Sequence, residues 1–95
     1  MSADENGYIR KIKICNERGL HARASAKFVG LANEYDATVT VSKDGVSVCG
    51  TSIMGLMMLA AGIGEEITIR VEGPEKDQLL EAIEKLVGDK FGEGS

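Results

Sequence analysis

The residues with the clearest chemical potential in this chain are His21 and Arg23, within Gly19-Leu20-His21-Ala22-Arg23. His21 is the only histidine, and it lies between a strand-like run over 8–15 and a helix-like run over 22–35. The imidazole is therefore expected at or beside a helix N-terminus, where unpaired backbone N–H groups and the helix dipole favour an anion. Arg23 adds a fixed positive charge and a planar set of donors suited to phosphate oxygens. Such a nucleophile beside an anion site is what a transient phosphohistidine requires, although these residues alone also fit a surface histidine in a loop.

Two segments of the chain resemble one known family. Gly19-Leu20-His21-Ala22-Arg23 resembles the Gly-hydrophobic-His-Ala-Arg signature of HPr, the histidine phosphocarrier of the bacterial phosphotransferase system. Ser52-Ile53-Met54-Gly55-Leu56-Met57 resembles the stretch around the regulatory serine of that family, and the separation of His21 from Ser52 also fits. The likeness covers about residues 8–87. One departure is Ala24, which stands where the family usually has proline after the arginine.

The resemblance implies a role for each motif residue. His21 would accept a phosphoryl group on Nδ1, and Arg23, with the backbone amides of Ala22 and Arg23 at the helix start, would stabilise it. Ser52 would be a site of regulatory phosphorylation by an HPr kinase/phosphorylase. The donor would be the phosphoenolpyruvate-dependent Enzyme I, and the acceptors would be A-type domains of sugar permeases or their regulatory relatives. The protein would then be a stoichiometric carrier that forms a phosphohistidine intermediate, and not an independent catalyst.

A docking surface is expected around these two motifs. The run after Ser52 is apolar on every side, and a helix this short cannot bury every face against one sheet. Leu56 and Leu59 are expected in the core. Methionines left partly exposed suit a surface that must fit several partners. Lys27, one helical turn beyond Arg23, either adds to the anion field or is an ordinary solvated lysine. The predicted docking residues are Leu20, Lys27, Ile53, Met54 and Met57.

Composition narrows the function classes. The net charge of −4 argues against a nucleic-acid partner, which needs a basic surface. No apolar run approaches the roughly 20 residues that span a bilayer, and residues 1–6 lack the regions of a signal peptide, so a cytoplasmic protein without membrane insertion is expected. Cys15 and Cys49 have neither zinc-site nor redox-pair spacing and are expected to be reduced thiols. No metal and no cofactor are expected, since nucleotide-binding glycine motifs are also absent from the sequence.

The elements that must position His21 follow from hydrophobic periodicity. Strand-type alternation and helix-type spacing give the order βαββαβα, with Asp44-Gly45 as the turn of a hairpin. Strands in which apolar and polar residues alternate strictly form a sheet with one face exposed to solvent. This pattern predicts an α+β open-faced sandwich: a four-stranded antiparallel sheet with three helices on one face. The predicted organisation is a flexible leader at 1–7, a single HPr-like domain at 8–87 and a polar tail at 88–95. The chain is expected to be a monomer.

The sequence is consistent with two functions. The first is a phosphocarrier that accepts and donates through His21. The second is a regulatory interaction protein on the same fold, which acts through docking and Ser52 with little transfer. An intact His21 and Arg23 favour the first.

Overall fold

The computed structural model describes residues 7–95 and contains the predicted order of strands and helices. The strands are β1 (Gly7–Lys13), β2 (Thr38–Lys43), β3 (Val46–Cys49) and β4 (Glu66–Glu72). The helices are α1 (Ala22–Ala32), α2 (Ile53–Met58) and α3 (Lys76–Gly88), and a short 3-10 helix, Lys90–Gly92, follows α3.

The four strands form one antiparallel sheet in the order β1-β4-β2-β3. In β4 the alternation is complete, because Ile67, Ile69 and Val71 are buried while the residues between them are not. These side chains meet those of all three helices in a single core that also contains Phe28 and Leu56. The open-faced sandwich predicted from the sequence is therefore confirmed.

The β2–β3 hairpin turns at the residues that the sequence indicates. Lys43 pairs with Val46, which leaves Asp44 and Gly45 as a two-residue turn. Both have positive φ, 51° and 82°, as a primed hairpin turn requires. The helix ends are less well predicted. Helix α1 stops at Ala32 instead of continuing to residue 35.

The two predicted chain ends are the leader at 1–7 and the polar tail at 88–95. Residues 1–6 of the expected leader lie outside the described residues, and Gly7 already belongs to β1, where it pairs with Glu72. The expected polar tail is packed against the domain. Lys90 and Phe91 both have a φ of 55°, which turns the chain back after α3 and buries Phe91 completely. Lys27 Nζ donates a hydrogen bond to the Phe91 carbonyl at 2.6 Å, so the C-terminal segment is tied to α1.

Within residues 7–95, no helix is long and apolar enough to cross a membrane.

Candidate functional site

His21 is the N-cap residue of α1. Its backbone is extended (φ −74°, ψ 179°), and its carbonyl accepts the first helical hydrogen bond from Ser25 N at 2.9 Å. The imidazole makes no capping hydrogen bond. The N–H groups of Ala22 and Arg23 in the first turn have no carbonyl partner inside the helix, so they can donate hydrogen bonds to an anion.

The loop that carries His21 is fixed to the segment after α2. Gly19 has a φ of +64°, and a Cβ at this position would lie 2.2 Å from the Ala61 carbonyl oxygen. The next N–H, from Leu20, donates to that same oxygen at 2.9 Å. Asn16 Nδ2 donates to the Gly19 carbonyl at 2.9 Å from inside the loop. Only glycine fits this close approach, which explains why a glycine precedes the histidine by two residues.

Leu20 is not a docking residue, because its side chain is 4% exposed and belongs to the core. The prediction was wrong because its backbone is held by Ala61, and the side chain then points inward while the next residue reaches the surface. Lys27 is also less available than predicted. Its ammonium group donates a hydrogen bond to the Phe91 carbonyl, so Lys27 holds the C-terminal segment against α1 and is not freely solvated.

Glu93 is the acidic partner of His21. His21 Nε2 and Glu93 Oε2 are in hydrogen-bond contact, and the two side chains are only 19% and 12% exposed. Glu93 Oε1 also accepts a hydrogen bond from Asn16 Nδ2 at 3.1 Å. The hydrogen bond from Asn16 has the largest effect on the Glu93 carboxyl group and lowers its pKa below the usual value. The hydrogen bond from His21 lowers this pKa further, and so does the positive charge of Arg18.

The His21 ring lies in a surface depression with two arginines. Arg18 and Arg23 line it together with His21 and Glu93, and the rest of the wall is Gly92 and Ser95. Among residues 7–95 neither guanidinium forms an ion pair, so both can bind an incoming phosphoryl group. The arrangement brings together an imidazole nucleophile, two planar cations and free backbone amides, which suits transient phosphorylation of the ring.

Sequence reasoning missed three residues of this site. Arg18 could have been found, because it is a cation in the loop three residues before His21. Asn16 is fully buried in the same loop, and its Oδ1 has no hydrogen-bond partner in the described part of the chain. Glu93 gives no local signal, since it reaches the ring only through the turn at Lys90 and Phe91.

Ser52 is the N-cap of α2. Its Oγ accepts a hydrogen bond from Gly55 N at 3.0 Å. Leu56 and Leu59 are buried as expected. The predicted exposure of Ile53, Met54 and Met57 is confirmed, and Met58 is exposed as well. Together they form an apolar patch of Ile53, Met54, Met57 and Met58, which are exposed by 40%, 72%, 41% and 74%. Whether this patch docks partners stays a prediction.

The two cysteines are free thiols. Within the described ranges, no three His, Cys, Asp or Glu side chains gather into a group that could hold a metal ion.

Known proteins resemble this chain over most of its length. A family model described as the PTS HPr component phosphorylation site matches residues 9–89. Phosphocarrier protein HPr of Cupriavidus necator is 46% identical over 85 residues, which cover 90% of this chain and 96% of that protein. Phosphocarrier protein NPr of Shewanella violacea is 43% identical over 86 residues, covering 90% and 94%. The crystal structure of HPr-C-His from Thermoanaerobacter tengcongensis matches with a TM-score of 0.86 at 36% identity, covering 90% of this chain and 97% of that one.

Proposed function

The chain belongs to the HPr family of phosphotransferase-system phosphocarriers, and we propose that it accepts a phosphoryl group on His21 from Enzyme I and passes it to A-type acceptor domains. The observation that supports this most strongly is the placement of His21. Its ring is free of any capping role, stands at the start of α1 and shares a depression with Arg18 and Arg23.

The transfer uses the ring as a nucleophile and then as a leaving group. In the first step a ring nitrogen forms a bond to phosphorus, and the donor departs with the electron pair of the bond that breaks. Arg23 and the first-turn N–H groups of α1 offset the charge on the phosphoryl oxygens. Arg23 is exposed and the His21 side chain is partly exposed, which leaves the phosphoryl group within reach of an acceptor.

Regulation at Ser52 is the second part of the proposal. A phosphate on Ser52 would be placed at the start of α2, beside Ile53 and Met54 of the apolar patch. An HPr kinase/phosphorylase would add it, and a partner that covers the patch would then have to desolvate a new charge. The monomeric state and the cytoplasmic location stay predictions from the sequence.

One observation favours the alternative of a regulatory interaction protein. Four apolar side chains of α2 are exposed together beside the capping serine, a surface that suits binding without any chemistry at His21. In that case the chain would dock through the patch under the control of Ser52 and would transfer little.

Phosphorylation by purified Enzyme I and phosphoenolpyruvate separates the two functions. We expect the intact mass of the wild-type chain to rise by one phosphoryl group, the adduct to be acid-labile, and an added A-type domain to discharge it. His21→Ala should keep a cooperative thermal transition and show no adduct. An adduct that persists in His21→Ala would refute the assignment, and a wild-type chain that is never charged would leave the regulatory function.

A further inference from the structure

Among residues 7–95 the His21 ring has a single hydrogen-bond partner, the carboxylate of Glu93, which contacts it at Nε2. We infer that Glu93 is a positioning residue for phosphoryl transfer: it accepts the Nε2–H of His21, holds the ring in one tautomer and leaves Nδ1 as the nucleophile. The inference rests on the proposed function, because Glu93 would act on transfer only through its contact with the His21 ring.

The chemistry of the two side chains fixes the direction of this hydrogen bond. A neutral imidazole has one N–H donor and one nitrogen with a free lone pair, whereas an ionised carboxylate only accepts. Glu93 is held in its ionised form, because Asn16 and His21 both lower the pKa of its carboxyl group. The proton of the neutral ring must therefore lie on Nε2, and the lone pair on Nδ1.

The carboxylate is held in place by the fold. Its second oxygen accepts a hydrogen bond from Asn16 Nδ2 at 3.1 Å, and the same Nδ2 donates to the Gly19 carbonyl in the loop that carries His21. Asn16 is completely buried. Two residues before Glu93, the ring of Phe91 is completely buried and its carbonyl is bonded to Lys27. The contact with His21 therefore belongs to a packed segment, which gives the ring a defined orientation.

The contact has a consequence for each half of the transfer. When the Nδ1 lone pair forms the bond to phosphorus and the donor leaves with its electron pair, the ring keeps the Nε2 proton and gains positive charge. The Glu93 carboxylate offsets that charge. In onward transfer the N–P bond breaks and its electron pair returns to Nδ1, so the ring leaves as a neutral imidazole, a better leaving group than an imidazolate anion. Arg18 and Arg23, the other charged groups lining the depression, are left to bind the phosphoryl oxygens.

Glu93 lies beyond residues 9–89, the part of the chain that matches the family model.

Three variants test the inference. Glu93→Ala removes the acceptor, Glu93→Gln keeps a carbonyl oxygen that can still accept from Nε2–H, and Glu17→Gln is the matched control. Glu17 is an exposed carboxylate in the same loop as Asn16 and makes no hydrogen bond to the ring. A long-range proton–nitrogen NMR spectrum, recorded where the ring is neutral, reports the tautomer, and charging by Enzyme I reports the rate. Thermal melting confirms that each variant is folded.

We expect a single Nε2–H tautomer in the wild type and in Glu17→Gln, and a mixture in Glu93→Ala. The rate of charging by Enzyme I should fall about tenfold in Glu93→Ala, which is at the low end of the effect expected from the loss of a charge-assisted hydrogen bond. The rate should fall by less in Glu93→Gln. The same tautomer in wild type and Glu93→Ala would overturn the inference, and so would equal charging rates. A wild-type chain that accepts no phosphoryl group would overturn the proposed function and this inference together, whereas normal charging in every variant overturns only the inference.

Discussion

Replacement of Ser52 by aspartate, asparagine and alanine separates the structural role of this residue from its effect on docking. In the structure Ser52 Oγ caps α2 through the Gly55 N–H at 3.0 Å. Aspartate and asparagine are equally good N-caps, but only aspartate brings a charge, so Ser52→Asn is the control for Ser52→Asp. Alanine removes the cap and adds no charge.

The effects on stability follow from that one hydrogen bond. Loss of an N-cap costs about 1 kcal/mol, which lowers the melting temperature of a domain of this size by about 4–8 °C. We expect that decrease for Ser52→Ala. Ser52→Asn should melt close to the wild type, and Ser52→Asp should melt at the same temperature or slightly above it, because a negative charge at a helix start is favourable.

The effects on transfer should follow a different order. Ile53 and Met54 come directly after Ser52 and are 40% and 72% exposed, so a partner that covers them brings residue 52 to the rim of the interface. Desolvation of a carboxylate there costs at least about 1 kcal/mol, which corresponds to about a fivefold slower transfer. We therefore expect slow charging of His21 in Ser52→Asp only, with Ser52→Asn and Ser52→Ala near the wild-type rate.

The assay is charging by Enzyme I at concentrations below saturation, combined with thermal melting of the same samples. Equal charging rates for Ser52→Asp and Ser52→Asn would show that a charge at this position does not affect docking and that Ser52 is only a helix cap. A large drop in melting temperature for Ser52→Asp would show that the cap geometry does not accept the longer side chain.

Substitutions at three further positions test the site and its supports. Arg23→Ala should slow charging more than Arg23→Lys, since an ammonium group cannot present two parallel donors; equal rates in wild type and both variants would make Arg23 an ordinary surface residue. Gly19→Ala should destabilise the fold by about 1–3 kcal/mol, because of its positive φ and the contact with the Ala61 carbonyl, and an unchanged melting temperature would contradict this. Ala24→Pro should raise the free energy of unfolding by about 0.4–1 kcal/mol, because Ala24 is in the first turn of α1 and its N–H has no helical acceptor. A sharply lowered melting temperature would refute this reasoning.

The parts of this protein that sequence predicts well are governed by local rules. Asp44-Gly45 indicates its own turn type, and the alternation of Ile67, Ile69 and Val71 indicates which face of β4 is buried. The position of His21 at a helix start follows in the same way, from a strand pattern and a helix pattern on either side.

The parts that sequence does not predict depend on contacts between distant segments. Glu93 reaches His21 because Lys90 and Phe91 adopt positive φ, a conformation that neither residue type favours, and no periodic pattern marks such a turn. Leu20 lies in an irregular loop, where side-chain direction is set by the hydrogen bond to Ala61 and not by a repeat. Periodicity therefore indicates which element carries His21 but not which residue contacts its ring.

The most direct test of the account is to identify the atom that carries the phosphoryl group. The nitrogen-labelled chain is charged with Enzyme I and phosphoenolpyruvate, and the one-bond coupling between nitrogen and phosphorus is measured by NMR. We predict a coupling to Nδ1 of His21, with the proton retained on Nε2. Phosphorus bonded to Nε2, or a charged protein without any coupling to the His21 ring, would contradict the account.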